Sequence, residues 1–208
     1  MISARPLSTT LAPLFVIQFL SWAGMFCMWI YAVPVIAGDV FHVEADPVRY
    51  GTALAGIGAC YALYAILGAS MAFVLPSALQ RFGVRIVYGF ALAIGACGIG
   101  ALGVITKTIW LVPAFMAIGV GWCGMSNIPY AVVSNAAPEG QGDHLMRVFG
   151  FSTVVPQASM TLLLAFVGPR LPSASTHLVL IGGGVLMASA ALVAMVMGDR
   201  FAVSTDKW

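Results

Sequence analysis

Residues 109–136 read I-W-L-V-P-A-F-M-A-I-G-V-G-W-C-G-M-S-N-I-P-Y-A-V-V-S-N-A, with no acid, base or histidine among them. A helix rises about 1.5 Å per residue, so about 20 apolar residues cross the roughly 30 Å core of a bilayer. This run is long enough to cross. Five more stretches share its character, at about 12–37, 51–77, 86–105, 147–168 and 177–197. The whole chain of 208 residues is 61% hydrophobic and 8% charged, and its mean hydropathy is +1.01. A soluble domain carries roughly 25% charged residues. One domain of this length cannot hide so much apolar surface from water. Disorder needs the opposite composition, and a net charge of +2 points to no nucleic-acid partner. The expected fold class is all-α integral membrane, a single domain over residues 1–208 with six transmembrane helices.

The charges lie between those stretches. Arg5 comes first, then Asp39, Glu44, Asp46 and Arg49 with His42. Arg81 and Arg85, Lys107, and the group Glu139, Asp143 and Arg147 with His144 follow. Arg170 and His177 precede the last stretch, and Asp199, Arg200, Asp206 and Lys207 close the chain. Six spans place both termini on one side. Arg5, Arg81, Arg85, Arg147, Arg200 and Lys207 share that side, against Arg49, Lys107 and Arg170 opposite. The bias predicts cytoplasmic termini. The first span is too long for a signal peptide, and no clear small-residue cleavage site follows it. No charge falls near mid-membrane, so a proton relay or voltage sensor has no obvious group here. No H-E-x-x-H motif is present. Cys27, Cys60, Cys97 and Cys123 sit in different stretches without metal-like spacing. No enzyme activity, cofactor or metal is expected.

Polar and aromatic residues mark some spans and leave others plain. Trp122, Ser126 and Pro129/Tyr130 share one face of the fourth span. Asn127 beside them needs a partner or water. An indole, a hydroxyl and a phenol suit a sugar; a packing face with one interhelical hydrogen bond explains them equally. Pro129 frees the carbonyl of Met125. The fifth span holds Ser152, Thr153, Pro156 and a second amide, Gln157. Tyr61 and Tyr64 lie one turn apart in the second. Gln18, Ser21 and Trp22 lie within two turns of Met25 and Met28 in the first. Trp29 followed by Pro34 in the first span is echoed by Trp122 and Pro129 in the fourth. That echo hints at an inverted three-helix repeat. The glycines, including Gly182-Gly183-Gly184, read mainly as tight packing positions.

The loop Gln80-Arg81-Phe82-Gly83-Val84-Arg85 resembles the degenerate second copy of the D-R-x-G-R-R loop of major facilitator superfamily transporters, with Gln80 in place of the acid. Gly119-Val120-Gly121-Trp122, Ile128-Pro129-Tyr130-Ala131, Met146-Arg147-Val148-Phe149 and Val154-Val155-Pro156-Gln157 form a series similar to the sucrose/proton and glycoside symporter branch. There, span ten carries G-W-A…P-Y-A and span eleven Y-M-G-I-F-N…I-P-Q. Phe26-Cys27-Met28-Trp29-Ile30-Tyr31 resembles span seven of its bacterial members. Ala65 and Gly150 replace asparagines of that pattern, and Arg147 replaces a small residue. The likeness runs from about residue 15 to 197 and covers spans seven to twelve only.

The resemblance implies a 3+3 inverted repeat forming one half of the transporter fold, in a bacterial inner membrane. It implies secondary active transport of a sugar or related small solute, proton-coupled in the full-length family. The implied partners are a sugar-like substrate, the lipid bilayer, and an N-terminal six-helix half or a second copy. The pathway candidates are Trp29, Tyr61, Tyr64, Trp122, Ser126, Asn127, Tyr130 and Gln157. Helix-break or gating candidates are Pro34, Pro129 and Pro156, and the cytoplasmic loop motif is Arg81, Gly83 and Arg85. The alternative is a half-transporter remnant that does not transport, or a membrane assembly or interaction protein.

Overall fold

The computed structural model describes residues 7–43, 47–138, 140–170, 172 and 175–198. Arg5, Arg200 and Lys207, on which half of the cytoplasmic-side charge count rests, lie outside these residues. All regular structure among them is helical: α1 (Leu7–Val35), α2 (Pro47–Leu102), α3 (Leu111–Ala136), α4 (Gly142–Val167) and α5 (His177–Met197). A π-helical turn at Ile36–Val40 extends α1, and single 3-10 turns at Thr108–Trp110 and Gly168–Arg170 flank α3 and α4. All five helices are long and apolar enough to cross a membrane. The fourth begins at Gly142, five residues before the apolar run, because Asp143 favours a helix N-terminus. The third helix ends where Ala137 turns extended (φ −67°, ψ 133°). Pro138 follows it, and a residue before proline avoids the helical region.

The 56 residues of α2 merge the second and third apolar stretches. Gly83 lies inside α2 with φ 78° and ψ 158°, where the two stretches meet as two helices at a kink. The expected loop over 78–85 is therefore contracted to one non-helical residue. Contacts with α3 give the directions. On the first part of α2, Tyr61 meets Phe115 and Tyr64 meets Trp122, so that part runs parallel to α3. On the second part, Gly98 faces Ala114 and Gly95 faces Gly121, so it runs antiparallel. The chain reverses at Gly83. Such dihedrals are essentially confined to glycine and cost another residue about 1–3 kcal/mol. Gly83→Ala is expected to lose about that much stability, read as a lowered unfolding midpoint in detergent.

The helices pack through small residues. A Cβ at Gly121 would lie 2.7 Å from the Gly95 Cα, and one at Gly24 would lie 2.5 Å from the Gly183 carbonyl oxygen. With no hydrophobic drive between helices in lipid, such close backbone approach supplies the dispersion energy that holds them. The fully buried side chains include Leu14, Ile17, Met25, Met28, Tyr88, Leu92, Phe115 and Phe149. Most of α4 and the first part of α2 stay exposed. Five hydroxyls on the exposed faces are satisfied within their own helices: Thr52, Ser70, Ser159, Thr161 and Ser189 each donate to the carbonyl four residues back. Arg170 likewise donates to the Phe166 carbonyl. That is the bonding a hydrocarbon solvent demands.

Candidate functional site

Four of the eight pathway candidates meet in one aromatic cluster on α1, α2 and α3. The Trp22, Trp29 and Trp122 rings stand 5.6–6.0 Å apart in edge-to-face contacts. Tyr64 lies 6.2 Å from Trp122 and 5.7 Å from Tyr61. The Trp29 indole N–H donates to the Tyr64 hydroxyl at 3.3 Å. The Tyr61 hydroxyl donates to the Met28 carbonyl at 3.4 Å or to its sulfur at 3.3 Å. The polar tips of Trp29, Tyr61 and Tyr64 are thus engaged within the cluster.

Tyr130 belongs to a second group, one level along the bundle. Its ring and that of Phe15 each lie 5.3 Å from Phe149. Its hydroxyl shares a hydrogen bond of 3.2 Å with Thr153. Gln157 follows one turn later on α4 and is half-buried. Asn127 points to the exposed side of α3. Its amide donates to the Cys123 carbonyl of its own helix at 2.9 Å, which answers its need for a partner. Pro129 and Pro156 are buried inside α3 and α4, and both helices run through them without interruption. Pro34 lies two residues before the π-helical turn at Ile36–Val40, so of the three prolines it alone adjoins a change in helix type.

Between the two aromatic groups lies a set of buried polar atoms with no hydrogen-bond partner. They are both amide atoms of Gln18, the Trp22 indole nitrogen and the hydroxyls of Ser126 and Ser152. Gln18 is 0% exposed, Ser152 5% and Trp22 7%. Their register follows from the ring contacts. As α1 runs from Phe15 to Trp22, α3 runs back from Tyr130 to Trp122, so Gln18 stands level with Ser126. The fourth helix runs parallel to α1, from Phe149 beside Phe15 to Gly168 beside Tyr31. That puts Gln18 level with Ser152. Three helices therefore bring an amide and two hydroxyls to about one depth, with the Trp22 indole N–H one turn away.

A buried polar group without a partner costs about 1–3 kcal/mol, and native structures keep few of them. Thr52, Ser70, Ser159, Thr161 and Ser189 found carbonyls in their own helices; Ser126 and Ser152 did not. The neighbouring Ser21 hydroxyl donates to the Gln18 carbonyl at 3.2 Å, which leaves the Gln18 side chain alone. The sequence shows Gln18, Trp22 and Ser152 as polar residues in spans. It does not show that they lack partners, and this is what sets them apart.

Among the described residues, no group of three or more His, Cys, Asp or Glu could hold a metal. All four cysteines are free, and Cys27 and Cys123 are buried. Arg81 and Arg85 flank the Gly83 reversal, far along α2 from this set, and both are exposed. No family model matches the chain, and no curated protein or solved structure matches it.

Proposed function

We propose that the chain is a six-span half of a secondary carrier for a sugar or related small solute. In this reading α2 crosses the membrane twice, either side of Gly83. The six segments then alternate in direction, as a 3+3 helix half requires. The resemblance of the Trp122–Tyr130 and Phe149–Gln157 segments to the sucrose and glycoside symporters supports the same assignment. The observation that carries the reading is Gln18, fully buried with both amide atoms unpaired, level with the unpaired Ser126 and Ser152 hydroxyls. Solute hydroxyls would complete these groups, and the Trp22, Trp29 and Trp122 rings would cover the apolar face of a sugar. A path closed on all sides needs a second six-helix body, either an N-terminal half or another copy. Any proton-coupling acid would come from that body.

The three tryptophans make the site its own reporter. In nanodiscs of the purified protein, a sugar, glycoside or polyol is expected to quench their fluorescence saturably. Trp122→Phe is expected to remove a large part of that signal. If no compound of such a panel quenches or is taken up by proteoliposomes, with or without a proton gradient, the transport reading fails for this chain. An interaction protein is then the better account.

A further inference from the structure

One more buried polar atom stands outside the set on α1, α3 and α4. It is the hydroxyl of Tyr88, on the part of α2 that follows Gly83. Tyr88 is 0% exposed, and its hydroxyl has no hydrogen-bond partner among the described residues. A buried tyrosine hydroxyl usually finds a partner. Those of Tyr61, Tyr64 and Tyr130 do so in this bundle. Phenylalanine would fill the place of Tyr88 without the cost of a buried unpaired group.

Close contacts between α2 and α3 give the depth of this hydroxyl's helix position. A Cβ at Gly95 would lie 2.8 Å from the Gly121 Cα, and one at Gly124 would lie 2.7 Å from the Ala91 Cβ. The two segments run antiparallel, so Tyr88 stands level with Asn127 and Ile128. That is within two residues of Ser126, or about 3 Å along the axis at about 1.5 Å per residue. Gln18 stands level with Ser126, so Tyr88 shares the depth of the polar set. It also faces the bundle interior. Leu92 and Ile99 follow it on one helical stripe, and all three are 0% exposed. A Cβ at Gly183 on α5 would lie 3.4 Å from Ile99 and 2.9 Å from the Cys27 Cβ on α1. The stripe therefore looks toward the α1 side of the bundle. One edge of the Tyr88 ring meets α3, 3.9 Å from where a Gly124 Cβ would stand.

We propose that Tyr88 is a specificity-determining residue of the solute seat, bonding one solute hydroxyl from the α2 side. Gln18, Ser126 and Ser152 then bond others from α1, α3 and α4. This assignment rests on the carrier reading of the polar set and narrows the solute class. The solute carries hydroxyls on two opposing edges and no charge. A phenol can donate and accept at once, which complements a hydroxyl. No acid, base or histidine occurs in 7–38, 86–102, 109–136 or 148–167, so an ionised solute finds no counter-charge on these helices.

Solute quenching of the tryptophans in nanodiscs tests the assignment, since Tyr88→Phe leaves all three reporters in place. The probes are glucose, galactose, methyl glucoside, sucrose and sorbitol, then the monodeoxy derivatives of whichever quenches best. Tyr88→Phe is expected to bind that parent solute about tenfold more weakly, the loss of one neutral hydrogen bond. One monodeoxy derivative is expected to lose the same factor in the wild type and to lose nothing further in Tyr88→Phe. The hydroxyl it lacks is the one that Tyr88 bonds. Glucuronate and glucose 6-phosphate are expected not to quench. The empty Tyr88→Phe protein is expected to melt about 2–4 °C higher, as one buried unpaired hydroxyl is removed. Tyr61→Phe, which loses a bond to Met28, is expected to melt lower. Equal affinity of wild type and Tyr88→Phe for the parent and every derivative, a lower midpoint in Tyr88→Phe, or quenching by either charged sugar would overturn the proposal. If Gln18→Leu still removes quenching where Tyr88→Phe does not weaken it, the carrier reading stands without Tyr88. If no compound quenches the wild type, both fall.

Discussion

Gly184→Val is expected to lower the unfolding midpoint in detergent by about 6–12 °C, while Gly182→Ala two positions earlier leaves it unchanged. The three glycines Gly182, Gly183 and Gly184 look alike in the sequence and meet different surroundings. A Cβ at Gly182 has nothing within 4 Å. One at Gly183 would stand 2.9 Å from the Cys27 Cβ and the Gly24 carbonyl oxygen, against α1. One at Gly184 would stand 2.9 Å from the Gly100 Cα and nitrogen, against α2. Backbone atoms cannot rotate away as side chains can, so the helices must part. Overpacking costs about 1–3 kcal/mol, sometimes more, and about 2–4 °C accompanies each kcal/mol at this length. The value given takes the upper end. Gly100 offers an internal control, because its own Cβ direction meets the Gly184 Cα only at 4.0 Å. Gly100→Ala is therefore expected to be tolerated. A midpoint for Gly184→Val equal to that of Gly182→Ala would remove this crossing from the account of stability.

The apolar stretches between charge clusters located the helices to within a few residues, because in lipid the hydropathy constraint is one-dimensional and strong. The turn at Gly83 was legible as Arg-Phe-Gly-Val-Arg, but its abruptness was not. That depends on the backbone angles of one residue. The π-helical turn at Ile36–Val40 left no sequence signal beyond Pro34. The meeting of Trp29, Tyr64 and Trp122 could not be read from spacing, since it joins three helices far apart in the chain. The amides show the limit most clearly. Asn127 and Gln157 were singled out as amides inside apolar spans, which need a partner or water. Asn127 is short enough to reach back to the Cys123 carbonyl on its own helix, a local bond that asparagine forms readily. Gln18 has no such bond in the structure, and α1 is the most deeply enclosed of the helices in its middle, from Ser21 to Met25. Burial and pairing are properties of the packed bundle, so the sequence alone does not say which amide is left without a partner.

Gln18→Leu is expected to do two opposite things: raise the stability of the empty protein and remove solute binding. In the empty bundle both amide atoms of Gln18 are buried without partners. Replacing such a group with an apolar one of similar shape removes a desolvation penalty of about 1–3 kcal/mol. Leucine is branched where glutamine is not, and the repacking this forces subtracts a part of the gain. The net expectation is a rise of about 1–2 kcal/mol, read as a higher unfolding midpoint. Quenching of the Trp22, Trp29 and Trp122 fluorescence by solute is expected to vanish in the same variant. A site built to bond a hydroxyl through a charge-free amide loses that bond entirely, and the solute hydroxyl would then be the unpaired group. The combination distinguishes a binding residue from a structural one. Were Gln18 bonded to a neighbouring helix in the working protein, Gln18→Leu would lower the midpoint instead, because the bond would be lost along with the amide. Ser152→Ala is expected to show the same pair of effects at smaller size, since it removes one unpaired hydroxyl where Gln18→Leu removes two unpaired atoms. A lowered midpoint in both variants would mean that the three helices are held by these groups, and the polar set would then be part of the bundle's own bonding and not a seat for a solute.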